Sequence, residues 1–213
     1  MIKNNKGKSY LFAILGVAIL IILVVGVTYA YYSASAEENK TIKGSTADVG
    51  LELSVVKLSE AATGYLIPLD SDPVSLTTAA KGYNNTGSTF DKTKSCIDKN
   101  GYSVCQIYEI TIKNTSTASL RLRGGVTKLE GSNVPNITCD VMSSSTSVTV
   151  NKNCKSSVSL ENDKLFAINE SKTYYIIVYI NNIEEVQDDK GGFVGTVEFA
   201  TDTGKLQATF SWL

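Results

Sequence analysis

From residue 40 onward the apolar side chains recur with a period of two, and this alternation most constrains what the chain can fold into. Leu51, Leu53 and Val55 alternate with polar or small residues, and the stretch around Ile110 and Ile112 repeats the pattern. A period of two places every second side chain on one face of a β-strand. No window in this region sustains the 3.6-residue stripe of an amphipathic helix. The pattern predicts an all-β domain.

Two further stretches refine this prediction. Alternation before and after Thr203-Gly204, up to Trp212, predicts a terminal hairpin. The stretch Tyr174 to Ile180 is apolar on both faces, so it predicts a central strand or a strand whose second face meets another molecule. About eight to ten short strands separated by turn clusters predict a single β-sandwich, jelly-roll or Ig-like, over residues 47–213.

Residues 57–95 interrupt the alternation. Pro68, Pro73 and the glycines from Gly82 to Gly87 mix turn signals with only short apolar stretches. We interpret this region as a long excursion with one helical turn. An ordinary surface loop is a simpler interpretation of it than a binding function.

The N-terminal 30 residues form an apolar export or anchor helix in this interpretation. The run from Leu11 to Ala30 is apolar apart from Thr28 and Tyr29, and as a helix it spans about 30 Å, the thickness of a bilayer core. Lysines precede the run and none follows until Lys40, so the positive-inside rule keeps the N-terminus in the cytoplasm and sends the remainder across. We therefore expect a secreted or cell-surface protein.

Cleavage of this helix has two candidate positions. Thr28-Tyr29-Ala30 allows a cut between Ala30 and Tyr31, and Ala34-Ser35-Ala36 allows one between Ala36 and Glu37. The alternative is an uncleaved transmembrane anchor, because the run is longer than a usual signal peptide. Residues 1–30 are thus a signal peptide or an anchor, and residues 31–46 form a polar segment before the domain.

The composition excludes several functions. The chain of 213 residues contains no histidine, so it has no Ser-His or Cys-His nucleophile pair and no histidine-based zinc site. Its 20 basic and 21 acidic residues give a net charge of -1, which does not match a nucleic-acid-binding protein. We predict no enzymatic activity, no catalytic residue, no cofactor, no metal site and no nucleic-acid partner.

The strongest local motif runs from Cys96 to Cys105. Asn100-Gly101 is the preferred pair for a two-residue type I′ turn, and centring the turn there places Cys96 opposite Cys105. The two cysteines then occupy a non-hydrogen-bonded pair with a Cα separation of about 4.5 Å, which a disulfide tolerates. The motif predicts a disulfide-bridged hairpin.

The remaining cysteines, Cys139 and Cys154, pair with each other by elimination. Four cysteines allow three connectivities, and only the first bridge has a register argument. A zinc site formed by all four cysteines is the rival interpretation. It lacks any C-x-x-C motif, and export into an oxidising compartment favours disulfides.

The N-terminal quarter resembles a known family. The stretch Gly26-Val27-Thr28-Tyr29-Ala30-Tyr31-Tyr32-Ser33, followed by a polar segment and then by the strand pattern from Ile42 to Leu53, resembles the start of TasA and camelysin-type proteins. These are biofilm-matrix fibre proteins of Gram-positive bacteria, exported through the signal peptidase SipW. The match covers roughly residues 8 to 56.

The resemblance implies a fold, a processing site and an assembly mode. It favours the jelly-roll form of the sandwich and a cut after Ala30. It also implies that residues 31–46 add as a strand to a neighbouring subunit, with Tyr31, Tyr32 and Ile42 as side-chain anchors. The expected partners are further copies of the chain, a signal peptidase during export and other matrix or surface components.

Two functional hypotheses follow. The first is an extracellular structural protein that assembles into fibres by donating its N-terminal strand. The second is a membrane-anchored adhesion module that recognises a glycan or a protein through the excursion at residues 57–95, behind a disordered spacer.

Overall fold

The computed structural model describes residues 44–46, 50–87, 89, 91–131, 136–142, 150–153, 157–183 and 192–212. All of them belong to one compact unit that spans residues 34–213. The predicted export helix and the anchors Tyr31, Tyr32 and Ile42 lie outside the described residues.

Within the described residues the chain forms ten strands and one helix, which confirms the all-β prediction. In chain order they are β1 (Gly44–Thr46), β2 (Leu51–Lys57), α1 (Pro73–Lys81), β3 (Gln106–Asn114), β4 (Leu120–Gly131), β5 (Ile137–Met142), β6 (Val150–Asn153), β7 (Val158–Phe166), β8 (Ser171–Ile180), β9 (Phe193–Ala200) and β10 (Lys205–Trp212).

The strands form two antiparallel sheets. Sheet I has the order β1-β2-β3-β8-β5-β6, and sheet II has the order β10-β9-β4-β7. The predicted terminal hairpin is confirmed, since β9 and β10 pair along their full lengths from Phe193 opposite Trp212 to Ala200 opposite Lys205. The strand that is apolar on both faces, β8, lies inside sheet I between β3 and β5, as predicted for a central strand.

Aromatic rings fill the space between the sheets. The ring of Tyr108 on β3 lies 4.6 Å from that of Phe210 on β10 and 6.3 Å from that of Phe193 on β9, measured between centroids. Tyr174 on β8 stacks on Phe199 of β9 at 6.1 Å. Each contact joins one sheet to the other, so the inward faces pack as a sandwich.

Gly195 leaves space for the aromatic packing between the sheets. It lies on β9 opposite Phe210, and a Cβ atom at this position would come within 2.1 Å of the Phe210 ring. The missing side chain therefore leaves room for a buried phenyl ring. Any larger residue at position 195 would displace that ring from the core.

A half-buried ion pair also joins the sheets. Glu161 on β7 accepts hydrogen bonds from the ammonium of Lys172 and the hydroxyl of Tyr174, both on β8 and both at 2.6 Å. Burial raises the pKa of the Glu161 carboxyl, but the two hydrogen bonds and the ammonium charge outweigh burial and hold that pKa below its ordinary value. Burial and the nearby carboxylate together raise the pKa of Tyr174. The carboxylate is therefore ionised at neutral pH, and one of its oxygens accepts both hydrogen bonds.

We expect Glu161→Gln to lower the free energy of unfolding by about 2 kcal/mol, because hydrogen bonds to a charged group each contribute about 1.5–3 kcal/mol and Lys172 loses this carboxylate. Urea unfolding at neutral pH measures the change. Arg121→Gln is the matched control, because its 3.0 Å pair with Asp163 is exposed and should contribute less than about 1 kcal/mol. Equal losses in the two variants would contradict the assignment.

Candidate functional site

Residues 58–105, here called the covering layer, pack against the outer face of sheet I. Leu76 and Ala80 of α1 and the disulfide cysteines share one buried cluster with Ile177 and Tyr179 of β8. The region predicted as a variable loop is thus a third layer of the fold. It explains the second apolar face of β8, which this part of the same chain covers.

Helix α1 begins at Asp72 and ends before Gly82. The Asp72 carboxylate accepts hydrogen bonds from the backbone N–H groups of Val74 and Ser75 at 2.9 and 3.0 Å, and Pro73 occupies the first helical position. The hydrogen bonds from Ser75 lower the pKa of Asp72. The helix has nine residues rather than the single turn predicted. Its buried residues are mostly alanines, so its apolar stripe is weak in the sequence.

The bridge between Cys96 and Cys105 is confirmed, with a Cα separation of 4.8 Å, but the predicted turn is wrong. Asp98 pairs with Tyr102 and Ile97 with Ser103, so the loop has three residues instead of two. The Asp98 carboxylate accepts the backbone N–H groups of Asn100 and Tyr102, both at 2.8 Å. This turn, stabilised by a side chain, replaces the type I′ turn.

The three-residue loop shifts the pairing of the hairpin strands by one residue, and the backbone of Cys96 accommodates this shift. It adopts a φ of +63°, in the left-handed region, and its carbonyl accepts the N–H of Val104 at 2.9 Å. By the chain-entropy model, a bridge that closes a loop of this size stabilises the fold by about 2–3 kcal/mol. Both cysteines are fully buried, so the bridge lies inside the covering layer.

The second predicted bridge joins Cys139 to Cys154, and the structure describes only the first of these residues. Cys139 on β5 is disulfide-bonded, while Cys154 lies outside the described residues. No cysteine is free among the residues that the structure describes. Cys139 therefore belongs to a disulfide rather than to the rival four-cysteine zinc site.

Buried hydrogen bonds fix the start of the covering layer to β3. The Ser59 hydroxyl donates to the Gln106 side-chain carbonyl at 2.6 Å and accepts the N–H of Ile107 at 3.1 Å. The Gln106 amide in turn donates to the carbonyl of Ala62 at 3.3 Å. Ser59 and Gln106 are both fully buried. The layer is thus held by specific polar contacts as well as by apolar packing.

Two exposed tyrosines lie side by side on this layer. Leu66 pairs with Ser103 in a parallel bridge, and both residues are buried. Tyr65 and Tyr102 precede them and are 64% and 58% exposed. Because adjacent residues in a bridge of this kind point to opposite sides, the two tyrosines face outward together. The sequence analysis missed this pair, because 37 residues separate them and no local pattern joins them.

An apolar groove opens between α1 and the disulfide hairpin. Its volume is about 370 Å³, within the range of ligand-binding clefts. Apolar residues that are buried or half-buried line it, namely Leu69, Ala79, Ile97 and Val104, together with the exposed Val74, Tyr83 and Lys99. Val74 is 75% exposed and Tyr83 is 48% exposed, so two apolar side chains at this groove remain uncovered.

The edges of the sheets differ in how open they are. β1 pairs with only Leu51 to Leu53 of β2, and β10 of sheet II packs beside both strands. At the opposite edge of sheet II, the pairing of β7 with β4 is irregular at Gly124, and β7 carries Asp163 with a φ of +53°. Irregular pairing and charged residues protect an edge strand against further pairing. The β1–β2 edge lacks these features in its described part.

A buried carboxyl lies on β5, on the same side of sheet I as the covering layer. Asp140 accepts the Tyr179 hydroxyl at 2.7 Å, but its other oxygen and the nearby Thr138 hydroxyl have no hydrogen-bond partner among the residues that the structure describes. Burial raises the pKa of Asp140 and outweighs the opposing effect of the Tyr179 hydrogen bond. Burial and the bond to Asp140 raise the pKa of Tyr179. This carboxyl is far less satisfied than that of Glu161.

Several predicted positions lie outside the described residues. They are the cleavage residues Ala30, Tyr31, Ala36 and Glu37 and the strand anchors Tyr31, Tyr32 and Ile42.

In the described ranges no helix is long and apolar enough to cross a membrane. The same ranges contain no group of three or more Cys, Asp or Glu side chains placed to hold a metal ion. Comparison with protein-family models and with curated proteins found no match to this chain.

Asp140→Asn tests the buried carboxyl through its pH dependence. The folded-state pKa is raised, so the contribution of Asp140 to stability is complete below about pH 3.8 and is lost as the pH rises through the folded-state pKa. We therefore expect the variant to unfold at a higher temperature than the wild type at pH 7, with the difference shrinking toward pH 4.

Thermal unfolding between pH 4 and pH 8 measures this effect. Asp202→Asn is the matched control, because it makes the same chemical change at a side chain that is 70% exposed. A constant difference between Asp140→Asn and the wild type across this range would refute the raised pKa.

Proposed function

We propose that the protein is a non-enzymatic extracellular structural protein of a Gram-positive cell surface or biofilm matrix. It assembles into fibres when the N-terminal segment of one copy adds as a strand to the next. The observation that carries the proposal is β1, a three-residue edge strand formed by the end of that segment. The segment therefore already has a pairing position at the edge of sheet I.

The register of β1 supports a specific pairing for the donated strand. Gly44 lies opposite Leu53 and the two strands are antiparallel, so a strand that continues in this register places Ile42 opposite Val55. Val55 is buried and faces the core between the sheets. Ile42 would add apolar surface beside it, which agrees with its expected role as an anchor.

The surroundings of this edge favour it as the acceptor. β10 packs beside β1 and β2, and Lys57 of β2 lies 4.3 Å from the Trp212 ring of β10. A strand that replaces β1 in a neighbouring copy would have β2 on one side and β10 close by. Its backbone groups would form ladder hydrogen bonds, which supply the affinity in strand addition.

The topology favours the jelly-roll form of the sandwich over the Ig-like form. The chain changes sheet between β3 and β4, β4 and β5, β6 and β7, β7 and β8, and β8 and β9. Repeated crossing between two sheets is typical of jelly rolls, whereas an Ig-like domain has more hairpins within each sheet.

The cysteines support an extracellular location. The buried bridge between Cys96 and Cys105 belongs to a compartment in which disulfides persist. The apolar sequence at residues 1–30 would provide the route across the membrane, with cleavage after Ala30 for a secreted form and retention for a membrane-anchored form.

We expect the mature chain that begins at Tyr31 to form fibres and a chain that lacks residues 31–41 to remain unassembled, because the donated strand is then missing. Electron microscopy and sedimentation of the two purified proteins test this. The shortened chain should keep the unfolding temperature of the mature monomer. Fibres of equal abundance from both proteins would exclude strand donation.

A second candidate is a membrane-anchored adhesion module that binds a glycan or a protein. The outward-facing pair Tyr65 and Tyr102 favours it, because exposed aromatic side chains on a disulfide-bridged frame offer contact area at little entropic cost. Both tyrosines lie on the covering layer. This layer includes most of residues 57–95, the excursion through which the adhesion module is expected to bind.

For this candidate we expect Tyr65→Ala combined with Tyr102→Ala to reduce binding to purified cell-wall preparations at least tenfold, as measured by pull-down. Leu165→Ala is the control, because Leu165 is equally exposed but lies on β7. An intact N-terminus in membrane fractions, detected by mass spectrometry, would favour the anchored form. Unchanged binding by the tyrosine variant would exclude this surface.

A further inference from the structure

The apolar groove lies at the end of sheet I toward which a donated strand would run. Val104 in the groove comes two residues before β3, and the N–H of Leu69 donates to the carbonyl of Ile180, the last residue of β8. β2 ends at this same end of the sheet, since Lys57 lies opposite Tyr108 near the start of β3. The groove and the far end of β2 therefore lie at the same end of sheet I.

The direction of β1 brings the N-terminal segment to this end. β1 is antiparallel to β2, so a donated strand traced backward from Gly44 passes Ser54 and continues toward Lys57. In this register Lys40 would fall opposite Lys57, and like charges directly opposite each other destabilise strand pairing. The segment therefore leaves the sheet edge near Thr41.

We propose that the groove between α1 and the disulfide hairpin receives Tyr31 and Tyr32 from the N-terminal segment of a neighbouring copy. This inference rests on the proposed strand donation and identifies where its aromatic anchors bind. From Thr41 back to Tyr32 the extended chain can span up to about 30 Å, and this length is available for reaching the groove from the edge of the sheet.

The chemistry of the groove suits two adjacent tyrosines. Leu69, Ala79, Ile97 and Val104 give the groove an apolar floor, and the exposed Val74 and Tyr83 leave apolar surface uncovered beside it. A tyrosine ring can bury its apolar body in such a groove while its hydroxyl stays near water or polar side chains at the opening. The polar residues that line the groove are Ser75, Thr78, Asp98 and Lys99. The charges of Asp98 and Lys99 are opposite, which favours a ligand of no strong net charge, and the two hydroxyls can hydrogen-bond to a phenol.

The test uses a synthetic peptide of residues 31–43 and the chain that lacks residues 31–41. Fluorescence anisotropy of the labelled peptide measures its affinity. We expect Val74→Arg in the chain to weaken binding at least tenfold, because the guanidinium extends into the apolar groove. Arginine is no worse a helix former than valine, so α1 is retained. Val194→Arg makes the same chemical change at an exposed site on sheet II and should leave the affinity unchanged.

A second set of variants changes the peptide. Replacing both tyrosines with alanine should weaken binding at least tenfold, whereas replacing both with phenylalanine should retain most of it. Equal affinity for the wild-type chain and Val74→Arg would overturn the groove assignment, as would the absence of any peptide binding.

Failure of this inference is distinguishable from failure of the proposed function. If fibres require residues 31–41 but Val74→Arg neither weakens peptide binding nor slows assembly, strand donation stands and the groove assignment is wrong. If fibres form without residues 31–41, strand donation itself is wrong, and the peptide titration still decides whether the groove binds the tyrosines.

Discussion

Where β8 runs through sheet I, both faces of the sheet are apolar, and the layers of the structure follow from the need to bury both. β8 shows the constraint most clearly: Ile176 and Val178 face the core between the sheets, while Ile177 and Tyr179 face the opposite way, and all four are fully buried. One face is covered by sheet II. The other requires a third layer, which the chain supplies between β2 and β3.

This third layer is fixed by covalent and polar contacts because its apolar surface is small. Helix α1 contributes mainly alanines, so its packing alone removes little surface from water. The disulfide and the hydrogen bonds of Ser59 and Gln106 compensate for this. The same contacts hold the exposed tyrosines and the apolar groove in a defined geometry, as binding at either surface would require.

Two carboxyls, the half-buried Glu161 and the buried Asp140, illustrate how the surroundings of a carboxyl decide its role. Glu161 accepts two strong hydrogen bonds between the sheets, and its pKa is lowered even though burial opposes this. Asp140 has one partner and one unpaired oxygen, and its pKa is raised. The contacts of Glu161 stabilise its ionised form and join the two sheets. The surroundings of Asp140 make its ionisation costly in the folded state. No sequence pattern distinguishes them, because the partners of each carboxyl come from another strand.

The sequence by itself determined where the strands lie and which two cysteines of the hairpin meet, since period-two alternation and short-range pairing are local properties. It also contained the helix signals, Asp72-Pro73 before α1 and Gly82 after it, although the alanine-rich stripe concealed them. Only the tertiary structure decided that residues 58–105 form a layer, that Asp98 rather than Asn100 sets the hairpin turn, and that Tyr65 lies beside Tyr102. These three features depend on contacts between segments that are distant in the sequence. Such contacts form where apolar faces of the sheets still have to be buried.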